Sequence, residues 1–185
     1  RNKHPLSFCL FVLLSVIVTA PVEAIVTPIS VVATSEQSST NGSVDHLIDG
    51  SGLSGAGSVT SALHDNNVNA STMWRTGNQD GGIGDPTVYW QQVNAQAVVF
   101  DLGAVTPIKG VYIWNYNGIG ETDRGVSQYQ LWVSLDSDPA NASFTLIGHF
   151  FLQEADGVSQ LPQYQYFSQV DARLVKLSII SAQAG

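Results

Sequence analysis

Apolar and polar positions alternate through the second half of this chain in a way that predicts strands. From Lys109 to Tyr116, Val111 and Ile113 share one face while Tyr112, Trp114 and Tyr116 share the other. From Gln128 to Val133, Tyr129, Leu131 and Val133 alternate against Gln128, Gln130 and Trp132. From Arg173 to Ile180, Val175, Leu177 and Ile179 point one way, and Lys176 and Ser178 the other. A period of two puts successive side chains on opposite faces of a strand, so each segment offers one face to a core. Val98 to Leu102 is an apolar run interrupted by Asp101, and a turn marked by Pro107 separates it from the 109–116 strand. Phe144 to Phe151 and Tyr164 to Phe167 predict two further strands.

Ahead of these, Ile25 to Val32 predicts an opening strand whose Pro28 belongs at a sheet edge. Asp45 to Leu47 predicts a short helical turn before Ile48-Asp49-Gly50. Residues 51–87 form the longest irregular stretch, rich in Gly, Ser, Asn and Asp, and a loop of that length inside a compact domain is usually functional or metal-ordered. No helical period is sustained after residue 25 and no internal repeat is present. The pattern predicts an all-β, antiparallel sandwich that carries its function on loops at one end.

Residues 1–24 read differently. Arg1, Lys3 and His4 precede a short apolar run from Leu6 to Val18, and Val22-Glu23-Ala24 supplies the residue types a signal peptidase accepts. The run is shorter than the roughly 20 residues needed to span a bilayer, so a secretory signal peptide over 1–24 is expected, followed by one domain over 25–185. Cleavage there would remove Cys9, the chain's one cysteine, and leave a domain without disulfides. Losing Arg1, Lys3 and Glu23 takes the formal charge from −8 to −9. That acidity disfavours nucleic acid and anionic membrane, and suits an extracellular protein meeting neutral ligands or cations.

Catalysis finds little support. The sequence holds no G-x-S-x-G elbow, no H-E-x-x-H, and no carboxylate pair that nominates itself for glycoside hydrolysis. Gly50-Ser51-Gly52-Leu53-Ser54-Gly55 satisfies G-x-G-x-x-G but lacks the strand and helix that give that motif its meaning. Asp65-Asn66-Asn67-Val68-Asn69 imitates the start of an EF-hand loop, yet Ala70 and Thr76 stand where Gly and Glu are required. The sequons at Asn41, Asn69 and Asn141 mark surface loops only in a eukaryotic setting.

The ordered succession His46-Leu47-Ile48-Asp49-Gly50, Trp74, Val99-Phe100-Asp101-Leu102-Gly103, Ile108-Lys109-Gly110-Val111, Asp123-Arg124-Gly125-Val126, Val133-Ser134 and Ala172-Arg173-Leu174-Val175-Lys176-Leu177 resembles the discoidin, or coagulation factor 5/8 type C, family. The resemblance is to its bacterial galactose-binding-like members, which include carbohydrate-binding modules of secreted glycosidases. It implies a jelly-roll β-sandwich, a ligand site on the loops, and often a structural Ca²⁺. For that ion it implies the Asp49 carboxylate with backbone carbonyls at His46 and Ser51; the plainer reading of Asp49 is that it caps the Gly50 turn through its own backbone. The resemblance also implies a further strand beyond the Arg173–Ile180 segment, so the domain is expected to lack its final strand.

Sugar recognition needs a flat apolar face beside hydrogen-bonding side chains. Trp74 with Arg75, His64, Asn66 and the run Asn115-Tyr116-Asn117 supply those types, with Trp74 as the expected platform. Trp114 is better placed in the core. Arg124 is a ligand candidate whose plainer role is an ion pair tying loops together through Asp101 or Asp123, and Arg173 reads as a strand-end ion-pair residue. The expected function is a secreted, non-catalytic module that attaches its parent protein or cell to a glycan. A second expectation is an adhesive module for a protein or cell-envelope partner, which exposed hydrophobic loop tips would favour. A third is an accessory domain of a larger secreted glycoside hydrolase.

Overall fold

The computed structural model describes residues 10–16, 24–34, 42–55, 58–68, 71–76 and 96–183. Nine strands are present among them: β1 (Leu10–Val16), β2 (Ala24–Val26), β3 (Ser30–Ala33), β4 (Leu53–Ser54), β5 (Leu63–His64), β6 (Ala97–Asn115), β7 (Val126–Ser134), β8 (Thr145–Phe151) and β9 (Gln163–Ala182). All pair antiparallel. Short 3₁₀ turns occupy Val44–Leu47, Val59–Ser61 and Thr122–Arg124.

The two long strands organise the sandwich. The first part of β6 pairs with β3 and with the second part of β9, which continues to β7 and β8. The later part of β6 pairs with the first part of β9 on one side and with β1 on the other, and β1 pairs with β2. β6 and β9 thereby belong to both layers, and the architecture is an antiparallel β-sandwich. Leu10–Val16, expected within a leader, stands here beside β6, with Leu10 opposite Asn115 and Ser15 opposite Gly110.

Two expected strands prove to be one. Pro107 does not end the 98–102 strand; β6 continues through it, with register shifts between Asp101 and Thr106 and between Ile108 and Gly110. Val98, Phe100, Leu102 and Ile108 are buried at even positions and Val111 and Ile113 at odd ones, so the inward-facing set changes where the second shift falls. Gly103 takes the left-handed φ of +82° that the bend requires, and its N–H donates to Asp101 Oδ1 at 2.8 Å. The Arg173 guanidinium grips the same Asp101 carboxylate from β9, at 3.2 Å through Nε and 3.4 Å through Nη2. The expected Tyr164–Phe167 and Arg173–Ile180 strands likewise merge into β9.

The interior is filled by Phe100, Val111, Ile113, Tyr129, Leu131, Val175, Leu177 and Ile179 from the long strands, with Leu47 and Trp74 from the connecting segments. A second, smaller cluster forms on the opposite face of β6. There the β4–β5 hairpin and the Val59–Ser61 turn cover Trp114, whose indole N–H donates to Ala62 O at 3.1 Å. The long 51–87 stretch is therefore not wholly irregular. Its residues 77–87, like Asn41 and Asn69, lie outside the described residues.

Candidate functional site

One end of the sandwich gathers residues 64–68, 71–76, 115–125 and 152–160. His64 leads the chain out of β5, and its backbone exchanges hydrogen bonds with Gln160, N–H to O at 2.9 and 3.2 Å. Ile119 N–H donates to Asn66 O at 3.3 Å, which brings the 117–120 turn against the 65–68 segment. Asn66 Nδ2 donates to Gly157 O at 2.8 Å and draws in the third segment.

Most sequence-derived ligand candidates converge here, but as the internal frame of the loops. Asn115 is buried and fully occupied. Its Nδ2 donates to Val126 O at 2.8 Å and Gln153 O at 3.0 Å, while its Oδ1 accepts from the Val126 and Tyr116 N–H groups at 2.8 and 2.9 Å. Asn117, also buried, donates to Asp65 O and Val158 O and accepts from Gly157 N at 3.0 Å. These amides close loops that would otherwise leave backbone groups unpaired inside the fold. Their side chains are consequently unavailable to a sugar.

Trp74 is corrected most sharply: it is 0% exposed, packed in the main core, and presents no face to a ligand. A large aromatic next to a polar loop gains more from burying its whole surface than from lying open, and the core has room for it. His64 is also buried, its Nδ1 lying 2.9 Å from Asp65 O. Asn66 is half-buried and spent on Gly157. The EF-hand-like run is an ordinary turn, with Asp65 Oδ1 accepting from Asn67 N at 3.2 Å and Thr72 Oγ1 at 3.3 Å.

The charged part of the site is a chain of four side chains. Arg75 donates through Nη2 to Tyr116 Oη at 3.3 Å and to Val68 O, and its guanidinium lies 5.9 Å from the Tyr116 ring centre. Tyr116 Oη in turn donates to Glu121 Oε2 at 2.9 Å, and the same oxygen receives Arg124 Nη1. Arg124 thus pairs with Glu121, not with Asp101 or Asp123. Burial, reinforced by the bond to Glu121, pushes the Tyr116 phenol up to about 12 against the opposing pull of Arg75. Tyr116 therefore stays a neutral donor over the physiological range.

Solvent at this end meets exposed polar residues, Asp123, Gln153, Glu154 and Asp156 among them, and a few exposed aliphatic ones. Ile119 is 63% exposed and Val158 56%, and the two are neighbours because Ile119 sits against Gly157. Val68 is exposed beside them. Glu121, Ile119 and Val158 were missed from sequence, although a lone aliphatic between Gly118 and Gly120, or following Gly157, is a readable sign of an outward-pointing tip.

The residues expected to hold Ca²⁺ form a separate loop. Asp49 Oδ1 accepts from Ser51 N–H at 2.7 Å, and Oδ2 lies 3.1 Å from His46 Nδ1, whose Nε2 is buried without a partner. Partial burial works to raise the Asp49 pKa but is outweighed by bonds from Ser51 and His46, which leave the carboxyl below its usual value. Ca²⁺ takes about six to eight oxygen ligands. In this conformation the loop's own donors occupy both Asp49 oxygens, and no group of three His, Cys, Asp or Glu side chains that could hold a metal occurs among the described residues. A cleft of about 310 Å³ adjoins this loop, lined in part by Ile48, Asp49, Leu53, Ser58 and Val59.

The antiparallel layers and long bent strands give the chain the fold of the discoidin-like, galactose-binding-like carbohydrate-binding modules of family 32. Among solved structures the chain is similar to the CBM32-1 and CBM32-2 domains of Clostridium perfringens ZmpB in complex with GalNAc, with TM-score 0.50, 13% identity, and coverage of 84% of this chain and 31% of that one. It is also similar to CpGH89CBM32-5 of Clostridium perfringens in complex with GalNAc-β-1,3-galactose (TM-score 0.49, 19% identity, 83% and 84% covered). A third is chitosan-binding module 2 of the Paenibacillus sp. IK-5 chitosanase/glucanase, in complex with chitotriose (TM-score 0.48, 12% identity, 85% and 86% covered). No protein-family model matches the sequence, and no curated protein matches it.

Proposed function

We propose that this chain is a non-catalytic glycan-binding module whose ligand site is the surface of the loop end. The observation that carries the proposal is the juxtaposition of Ile119 and Val158 with Glu121, Asp65 and the Arg75–Tyr116–Arg124 chain. An aliphatic ledge can take the apolar side of a pyranose while carboxylates beside it accept from hydroxyls, with the buried amides holding both in place. Such a shallow site gives weak binding, and several copies or several sites on a parent protein would supply retention. The likeness in fold to the ZmpB modules, whose structure holds GalNAc, supports the same reading.

Export belongs to this proposal. Residues 1–24 have the order of features of a secretory leader, and among the described residues no helix is long and apolar enough to cross a membrane. Sequencing the N-terminus of the exported protein tests it, with Ile25 as the expected first residue.

A second reading has its own observation. Exposed Ile119, Val158 and Val68 are the hydrophobic loop tips that favour an adhesive module for a protein or cell-envelope partner. A glycan-array screen with Ca²⁺ and with EDTA decides between the two. Selective binding of one sugar class, unaffected by EDTA and lost in Ile119→Asp, is the expected result. A folded chain silent across the array would overturn the glycan reading in favour of the adhesive one.

A further inference from the structure

We infer that the outer face of the β6–β9 layer carries a second carbohydrate contact: exposed Tyr164 and Tyr166, with Tyr112 stacked against Tyr164 at the edge of the Trp114 cluster, receive the apolar side of an uncharged polysaccharide chain. The inference rests on the glycan-binding reading and adds to it a site remote from the loop-end residues.

The facing of these rings follows from the strand period. Val111, Ile113 and Phe167 are buried in the main core, so Tyr112 on β6 and Tyr164 and Tyr166 on β9 point to the opposite face. Tyr112 and Tyr164 are directly paired in register, and their rings stack with centroids 4.6 Å apart at 30°. Tyr164 also leans over Gly110, where an added Cβ would stand 2.6 Å from its Cε2 and Oη. Any other residue at 110 would push the ring up; glycine lets it lie against the strand. The result is a Tyr164 ring already held in place and 39% exposed, beside Tyr166 at 63%. A pre-ordered platform forfeits little side-chain entropy on binding.

Charge and edge geometry select the occupant. Gly110, Tyr112, Tyr164 and Tyr166 carry no charge, and phenol rings suit the apolar side and hydroxyl rim of a neutral pyranose. Strand addition by a second copy is disfavoured because side chains already block this edge of β9. Gln163 accepts from Gln153 N at 2.8 Å and donates to Gln153 O at 2.9 Å, and Gln165 donates to Phe151 O at 3.2 Å. What remains open is the face.

The test compares the full chain with the double variants Tyr164→Ala/Tyr166→Ala and Tyr164→Phe/Tyr166→Phe. Retention on cellulose and chitin is measured alongside binding to the oligosaccharide array, with far-UV circular dichroism to establish that each variant is folded. The alanine pair is expected to lose at least tenfold in polysaccharide retention and keep its array signal, and the phenylalanine pair to keep both. Undiminished retention in the folded alanine pair, with array binding intact, would overturn the tyrosine surface and leave the loop-end reading standing. A wild-type chain that binds neither polysaccharide nor array would overturn both.

Discussion

Tyr116 and Tyr164 lie at corresponding ends of paired strands, and the fold uses them in opposite ways. Tyr116 is 1% exposed, roofed by loops and held by Arg75 and Glu121, while Tyr164 is 39% exposed, with its ring stacked on Tyr112 and against Gly110. The difference is in what covers each strand. At the loop end, four segments converge and their backbone groups must find partners, so Asn115 and Asn117 turn inward to satisfy them, while Tyr116 is held between the Arg75 and Glu121 side chains. On the outer face Tyr164 and Tyr166 keep 39% and 63% exposure among the described residues, and the same chemistry is left available. A residue type suited to binding a sugar serves as scaffold wherever the backbone has prior need of it.

The sharpest way to break this contrast is Trp74→Ala. If Trp74 is core, its loss destabilises the fold by about 3–5 kcal/mol, read by denaturant unfolding, and any lost glycan binding follows unfolding. A stable variant with selectively impaired binding would return Trp74 to the site. Asn115→Ala comes next. It strips partners from Val126 N–H, Val126 O and Gln153 O, and is expected to destabilise by about 3 kcal/mol by the same measurement.

Tyr116 gives a smaller, pH-dependent signature. Its folded pKa is raised from 10.0 to about 12, so its neutral form stabilises the fold fully below pH 10, and that stability is lost as pH rises toward 12. Tyr116→Phe should therefore lose less stability than the wild type across that window, by about 1–2 kcal/mol. An identical decline in both would show that Tyr116 is not held by its burial. The smallest effect is expected on the outer face, where Tyr166→Ala should shift stability by no more than about 0.5 kcal/mol while polysaccharide retention falls. A large stability loss there would mean Tyr166 is structural as well.

By itself the sequence determined the layers. Period-two alternation in 109–116, 128–133 and 173–180 assigns inward and outward residues because a strand has no other way to place successive side chains. The ordered motifs from His46 to Leu177 carried the sandwich class, and Asp49 in its Gly50 turn carried the local Asx geometry. Tertiary structure decided the rest. Whether Pro107 ends β6 or bends it depends on a partner, β9, drawn from some sixty residues away. Whether Trp74 lies open or buried, and whether Asn117 meets a ligand or the backbone of Asp65 and Val158, depends on which loops converge. Alternation states which side of a strand a residue faces; only the assembled fold states whether that side is covered.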